Sequence, residues 1–379
     1  MNLDFKMGGV LYVFYGTMNS DKTTQLLANV NSLGHSSASN AFMVFVNSRD
    51  SRGGHRRIST SNGLRHDEVF VCDAENPEKV REVIKSRESK IGTSQKVLLF
   101  DEGNLYDANF VSVIQNLLGE NRTVAVYGLH TDFRGEPFNT MDSLLGIARR
   151  METTKSLKLV FEGKAYCKVV TNEIQCEDSA SYNMRLVKAN GSSEEQVSFI
   201  SDDLSTVSGF VRAPYYDPTI VVEGSSSRIK YTTTCERHFG ILPGKDLVDK
   251  IKGKLKEKER NKYSDIIEGD NRAVDAVAFL VEEGYVNIIG GNYHVPKGKW
   301  YTDHDITELV KIAKARDSDE HNSATLSVLD IIKRHKSISR EELLQHKQRG
   351  IERILGDLTK SGFISLRNAY IEPRRYDRL

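Results

Sequence analysis

The stretch GVLYVFYGTMNSDKTTQLL, from Gly9 to Leu27, constrains this chain more than any other. The apolar run Leu11 to Tyr15 has the make-up of a buried strand. It meets a loop of small and polar residues at Gly16, and a helical pattern starts at Lys22-Thr23-Thr24. Strand, loop and helix in that order make a phosphate cradle: loop N–H groups and the helix N-terminus face the phosphate oxygens, a lysine neutralises the outer phosphates, and the next hydroxyl holds Mg²⁺. Gly16, Lys22 and Thr23 keep the spacing G-x-x-x-x-G-K-T, with Thr17, Met18, Asn19 and Ser20 filling the loop. The second glycine is replaced by Asp21. A carboxylate there adds steric strain and like-charge repulsion where a permissive backbone approaches phosphate.

At 379 residues the chain is long enough for two or more domains. A net charge of +1 argues against wholesale coating of nucleic acid but leaves room for a local basic patch. No apolar run reaches the roughly 18 residues a membrane span needs, and MNLDFKMGG lacks a signal-peptide core, so a cytoplasmic protein with no membrane partner is expected. The four cysteines, Cys72, Cys167, Cys176 and Cys235, are too few for a disulfide framework.

From residue 10 to about 160, apolar β-rich runs (Leu11–Tyr15, Phe42–Val46, Lys96–Asp101, Thr123–Gly128, Ser156–Phe161) alternate with helical patterns (Thr23–Leu33, Pro77–Ser89, Ala108–Leu118, Met141–Arg150). The expected fold is α/β: a P-loop parallel sheet with helices on both faces, whose ligands gather beyond the strand C-terminal ends. One run, KVLLFDEGNLYD, ends there in Asp101-Glu102. An acidic pair at a strand tip suits a metal-organising Asp101, through water or Thr23, beside a second carboxylate free to take a proton; acidic residues also simply end strands.

MNSDKTT, FDEGN and GLHTDFRGEPF (Gly128 to Phe138), in this order and at these separations, resemble the zinc-bearing, P-loop type of thymidine kinase over residues 8–240. The resemblance implies transfer of the ATP γ-phosphoryl group to the 5′-hydroxyl of thymidine or deoxyuridine. Glu102 would be the general base, Thr23 and Asp101 would organise Mg²⁺, and Lys22 with the loop amides would stabilise the transferring group. Asp50 and Arg52, matching a D-x-R, and Asn104, where the family has Gln, would lie near the nucleotide. Leu129 would line the substrate pocket, and Phe133 would pack on the thymine ring, its other reading being a core aromatic. Ser61 stands where the family usually carries histidine, and Leu105-Tyr106 replaces an aromatic pair. Family members commonly assemble as tetramers, so a homotetramer is a further expectation.

Cys167, Cys176 and the C-x-x-H of Cys235 and His238 make a sound tetrahedral zinc set, the alternative being unrelated buried thiols. The family has two close pairs; here the first is stretched. CEDSASYNMRL, Cys176 to Leu186, resembles the segment after the second cysteine, including Arg185. A lasso that closes over the base would follow, enlarged by the polar insertion-like run KANGSSEEQVSFISDD from Lys188. Val222, Gly224 and Tyr231 would line the base pocket. Cys72, after an apolar run, reads as a core residue.

Residues 241–379 lie beyond the resemblance and contain an internal repeat. At a constant offset of 78 residues, Ile266 meets Leu344, Ala273 meets Ile351, Val277 meets Leu355, Leu280 meets Leu358 and Gly284 meets Gly362. Each copy reads as a short helix, a turn, a longer helix ended by Gly, and a small hairpin, the layout of a winged helix-turn-helix. The expected domains are 1–163 (P-loop kinase-like), 164–240 (small zinc-bound lasso domain), 241–300 (α+β winged-helix-like repeat), 301–321 (helical linker) and 322–379 (second repeat). Lys347, Arg349, Arg353, Lys360, Arg367, Arg374, Arg375 and Arg378, with the polar Gln348 among them, make the second copy basic, whereas the first carries Asp270, Asp275, Glu282 and Glu283. A DNA or protein partner is therefore expected for 322–379, the other reading being a solvated charged face. Two readings remain: a thymidine kinase using ATP, Mg²⁺ and structural Zn²⁺, or a kinase-derived regulator weakened by Asp21 that acts through its C-terminal module.

Overall fold

Leu11, Tyr12, Val13 and Phe14 are buried without a break, the pattern of a strand covered on both faces. In the computed structural model, which describes residues 8–36, 39–50, 57–60, 64–189, 195–201, 204–217, 229–257, 261–283, 285–294, 328, 331, 337–345, 351–360 and 365–373, this run is β1 (Leu11–Gly16). β2 (Phe42–Asn47), β5 (Phe70–Cys72), β6 (Val97–Phe100), β7 (Thr123–Leu129) and β8 (Val160–Glu162) join it in a six-stranded sheet of order β5-β2-β6-β7-β1-β8. Every pairing in it is parallel. The crossovers are α1 (Lys22–Gly34), α2 (Val80–Ile91), α3 (Phe110–Gly119) and α4 (Asn139–Lys155), and a two-stranded ribbon of β3 (Ile58–Ser59) and β4 (Arg65–His66) stands apart. This is the expected α/β sheet, with each strand and helix within a few residues of its sequence-based limits.

The core holds one buried polar pair that fixes α1 on β7. Asn29, 1% exposed, donates from Nδ2 to the hydroxyl of the fully buried Tyr127 at 2.7 Å. Tyr127→Phe would strand that donor, so a loss of about 1–3 kcal/mol in urea unfolding is expected, well beyond the cost of removing one exposed hydroxyl.

A second, antiparallel sheet follows, of order β10-β9-β12-β13-β11-β14. Its strands are β9 (Val169–Thr171), β10 (Ile174–Gln175), β11 (Tyr182–Lys188), β12 (Val197–Ile200), β13 (Thr206–Arg212) and β14 (Ile229–Thr234), and α5 (Glu236–Phe239) comes next. Part of the polar run after Lys188 is ordered as sheet. Its apolar residues form β12, whose Phe199 packs with Met184, Leu186 and Phe210.

The chain divides into two compact units, residues 1–212 with 221–240, and 213–220 with 241–379. Both sheets above belong to the first. The second begins where Tyr215 donates its N–H to the Pro243 carbonyl (2.8 Å) and sets its ring edge-on to Phe279 (centroids 5.7 Å). It contains α6 (Lys245–Glu257), then β15 (Asn261–Lys262), α7 (Tyr263–Ile267), α8 (Asn271–Glu282) and β16 (Val286–His294). The second copy supplies β17 (Ser337–Ser339), α9 (Arg340–Leu344), α10 (Ile351–Lys360) and β18 (Ser365–Pro373).

The two copies are not separate modules. β16 and β18 pair antiparallel from Val286↔Pro373 to His294↔Ser365, and the sheet order β15-β18-β16-β17 places the first strand of each copy against the long strand of the other. Gly356 of α10 faces Ala278 and Val274 of α8. A lone copy would leave a long strand with bare edges; the exchange pairs them. The expected linker helix and Lys347, Gln348, Arg349, Arg374, Arg375 and Arg378 lie outside the described residues.

Candidate active site

The phosphate loop is held shut by contacts that explain its sequence. A Cβ on Gly16 would meet Ser20 Oγ at 2.6 Å and the Gly163 carbonyl at 2.9 Å, and one on Gly163 would lie 2.2 Å from the Ser20 carbonyl, so both positions require glycine. Ser20 Oγ donates to the Thr17 carbonyl (2.7 Å), and Lys22 Nζ donates to that carbonyl (2.5 Å) and to Ser20 Oγ (3.2 Å). Asn19 and Asp21 are left-handed, with φ of 55° and 59°. Asp21 therefore has the backbone that the missing glycine would have, a conformation aspartate tolerates better than most residues. Its side chain is exposed and caps no N–H of α1. Asp21 thus holds the left-handed turn of the loop without a glycine. Thr17 Oγ1 is buried without a hydrogen-bond partner among the described residues, an orphan hydroxyl inside the loop.

Parallel pairing brings the other strand tips to the same edge of the sheet. Gly16 is in register with Leu129, whose N–H donates to Oδ1 of the buried Asn104 at 2.8 Å. Asn104 thus ties the β6 tip to the β7 tip. Asp101 is 7% exposed, and its Oδ1 accepts the Glu102 N–H at 3.0 Å. Glu102 is half-buried and left-handed (φ 50°). The turn after it is clamped by Arg49, which donates to the Leu105 carbonyl (2.9 Å) and pairs with Asp107 (3.1 Å). Beside it, Asn47 Nδ2 at the tip of β2 is buried with no partner among the described residues. Asp50 follows β2, whereas Arg52, Ser61, Val222 and Gly224 lie outside the described residues.

The segment after β7 is preorganised by Asp132. Its Oδ1 accepts the N–H groups of Arg134 (2.8 Å) and Glu136 (3.0 Å), and its Oδ2 pairs with Arg134 at 2.9 Å. Burial raises the Asp132 pKa, with Arg134 opposing. Phe133 is 6% exposed, with the guanidinium carbons of Arg185 and Arg134 at 4.3 and 4.8 Å from its centroid. Arg185 also donates to the Tyr231 hydroxyl from Nε (2.8 Å) and from a terminal nitrogen (2.6 Å). Phe133 and Tyr231 are therefore brought together through a buried arginine. The candidate residues picked from sequence omitted Arg185, Asn183, Arg49, Asn47 and Gly163. Asn183 and Arg185 both lie inside CEDSASYNMRL, where the sequence singles out Arg185 alone.

Cys167, Cys176, Cys235 and His238 converge so that their donor atoms all lie within 4.8 Å of one another. Cys176 and Cys235 sulfurs are 3.9 Å apart, and His238 Nδ1 is 3.3 Å from Cys235 Sγ and 3.6 Å from Cys167 Sγ. Ligands about 2.3 and 2.0 Å from a tetrahedral zinc stand at such separations. The stretched spacing of the first pair is closed by a hairpin: β9 and β10 turn at Asn172 and Glu173, both left-handed, and return Cys176 to Cys167. Burial pushes the Cys167 thiol up to about 11, so a metal is what would hold it as thiolate. Cys72 is buried elsewhere, its thiol pushed up to about 12 by burial. Among the described residues, no helix is long and apolar enough to cross a membrane.

A family model for thymidine kinase matches residues 9–239. The chain is similar to a thymidine kinase of Pyrobaculum aerophilum, 28% identical over 235 residues that cover 62% of this chain and 100% of that protein. It is 25% identical over 238 residues to one of Coxiella burnetii (61% and 95% covered). With one of Coprothermobacter proteolyticus it shares 32% identity over 152 residues (40% and 57% covered).

Proposed function

Because the chain belongs to the thymidine kinase family, we propose that it is a working kinase that moves the γ-phosphoryl group of ATP to the 5′-hydroxyl of thymidine or deoxyuridine. The observation that carries this reading is the backbone of Asp21: the one residue at odds with a phosphate loop takes the left-handed conformation, is exposed, and caps no N–H of α1.

The loop from Gly16 to Thr23 binds the triphosphate, with Lys22 exchanging its contacts to Thr17 and Ser20 for phosphate oxygens and the Thr17 hydroxyl gaining a partner. Thr23 and Asp101 would hold Mg²⁺, which when bound neutralises charge on the phosphoryl oxygens. Glu102 takes the proton of the attacking hydroxyl, its backbone fixed by Asp101 and its turn by Arg49. Leu129, Phe133 and Tyr231 border the nucleoside, with Asn104, Asp50 and Arg52 toward the nucleotide. Cys167, Cys176, Cys235 and His238 fit a structural zinc ion.

Purified protein given ATP, Mg²⁺ and thymidine is expected to form thymidine monophosphate, and Asp21→Gly to improve the KM for ATP by less than about tenfold, the effect of one solvated charge. An inactive wild type rescued by Asp21→Gly would instead make the protein a kinase-derived regulator.

A further inference from the structure

Strand β11 presents two faces with different tasks. Met184 and Leu186 point into the core of the antiparallel sheet beside Phe199 and Phe210. Asn183 and Arg185, on the opposite face by strand alternation, reach the parallel-sheet edge where the phosphate loop and the Thr131–Pro137 segment meet. Asn183 is 2% exposed. Its Oδ1 accepts the Met18 N–H of the phosphate loop at 2.7 Å, and its Nδ2 donates to the Thr131 carbonyl at 3.1 Å. One planar carboxamide therefore spans two loops far apart in sequence, one for phosphate and one that positions Phe133. Neither loop can shift alone without taking a partner from the buried Asn183 carboxamide, and an unpaired buried amide is costly.

Resting on the kinase reading above, we infer that Asn183 is a positioning residue that couples occupancy of the phosphate loop to occupancy of the nucleoside pocket. Ordering of one loop by its ligand is passed through the carboxamide to the other, and by linkage the effect is reciprocal. Arg185, two residues on, lies over the Phe133 ring and donates to the Tyr231 hydroxyl.

The test measures thymidine affinity calorimetrically with and without Mg²⁺ and the non-hydrolysable β,γ-imido analogue of ATP, in wild type, Asn183→Ala and Asn183→Asp. In wild type the analogue is expected to tighten thymidine binding by about tenfold. In Asn183→Ala that factor falls to within about twofold of one. Asn183→Asp keeps the acceptor for Met18 but sets a carboxylate against the Thr131 carbonyl, and loses the coupling too while circular dichroism shows the fold retained. A purely structural asparagine predicts otherwise: both affinities fall together and the tenfold factor survives, which would overturn the inference. Wild type that binds both ligands without coupling also overturns it, leaving the kinase reading intact. Wild type that binds neither ligand removes that reading and this inference with it.

Discussion

Replacing Glu102 with glutamine is expected to lower turnover by about 10²- to 10⁴-fold, the range a positioned general base contributes, while thymidine and ATP affinities stay within about threefold of wild type. The substitution keeps the shape and removes only the ability to accept a proton. Position supports this role. Glu102 follows a fully buried strand, is half-exposed at the sheet edge where the phosphate loop emerges, and is held by Asp101 behind it. Its left-handed backbone is one a glutamate adopts at a cost of about 1–2 kcal/mol. Glu102→Gly should therefore match the glutamine variant in lost turnover yet melt at a higher temperature. Gain of stability with loss of activity is the signature of a residue kept in strain for chemistry. A Glu102→Gln enzyme with normal turnover would remove the residue from the mechanism.

Five strands of the first sheet are legible because most of their runs are buried on both faces, and four helices because their apolar residues recur at helical spacing on one buried face. The left-handed residue at Asp21 is legible from spacing, but its exposure is not: whether a carboxylate points at phosphate or at water depends on the loop's tertiary contacts. The role of Asn183 escapes, and Arg185 shows only through the resemblance, because β11 alternates polar and apolar residues and its sequence reads like a strand with one solvated face. The polar face in fact meets other protein groups, a fact held by Met18, Thr131 and Phe133, distant in the chain. Gly163 likewise matters only because Ser20 lies over it. In the C-terminal repeat the offset of 78 residues shows in sequence, and so do the helices. Which copy pairs with which does not: β16 fits the edge of its own copy and the edge of the other equally well by pattern. The choice is made by which arrangement leaves fewer edges unpaired.

Wild-type protein is expected to carry one zinc ion per chain, and Cys235→Ser to lose it along with stability on the order of 4 kcal/mol, the scale reached when a structural metal goes. The reason lies in what the cluster joins. β10 and β14 are opposite edges of the antiparallel sheet; Cys176 directly follows the first, and Cys235 directly follows the second. Between them the sheet curls toward closure, with Lys168 N–H donating to the Thr233 carbonyl at 2.9 Å and Thr233 Oγ1 to the Tyr166 carbonyl at 2.7 Å. A metal on Cys167, Cys176, Cys235 and His238 would fasten that seam. Without it three buried thiols and an imidazole crowd together with no cation to hold them, and two strand edges come free. Because β11 lies in this sheet and carries Asn183 and Arg185, turnover should fall with the metal rather than after global unfolding. Cys72→Ser, in a buried thiol outside the cluster, should keep the zinc, so the pair of variants separates metal loss from loss of any buried cysteine. Elemental analysis that finds no zinc in either wild type or Cys235→Ser would leave the seam held by hydrogen bonds alone.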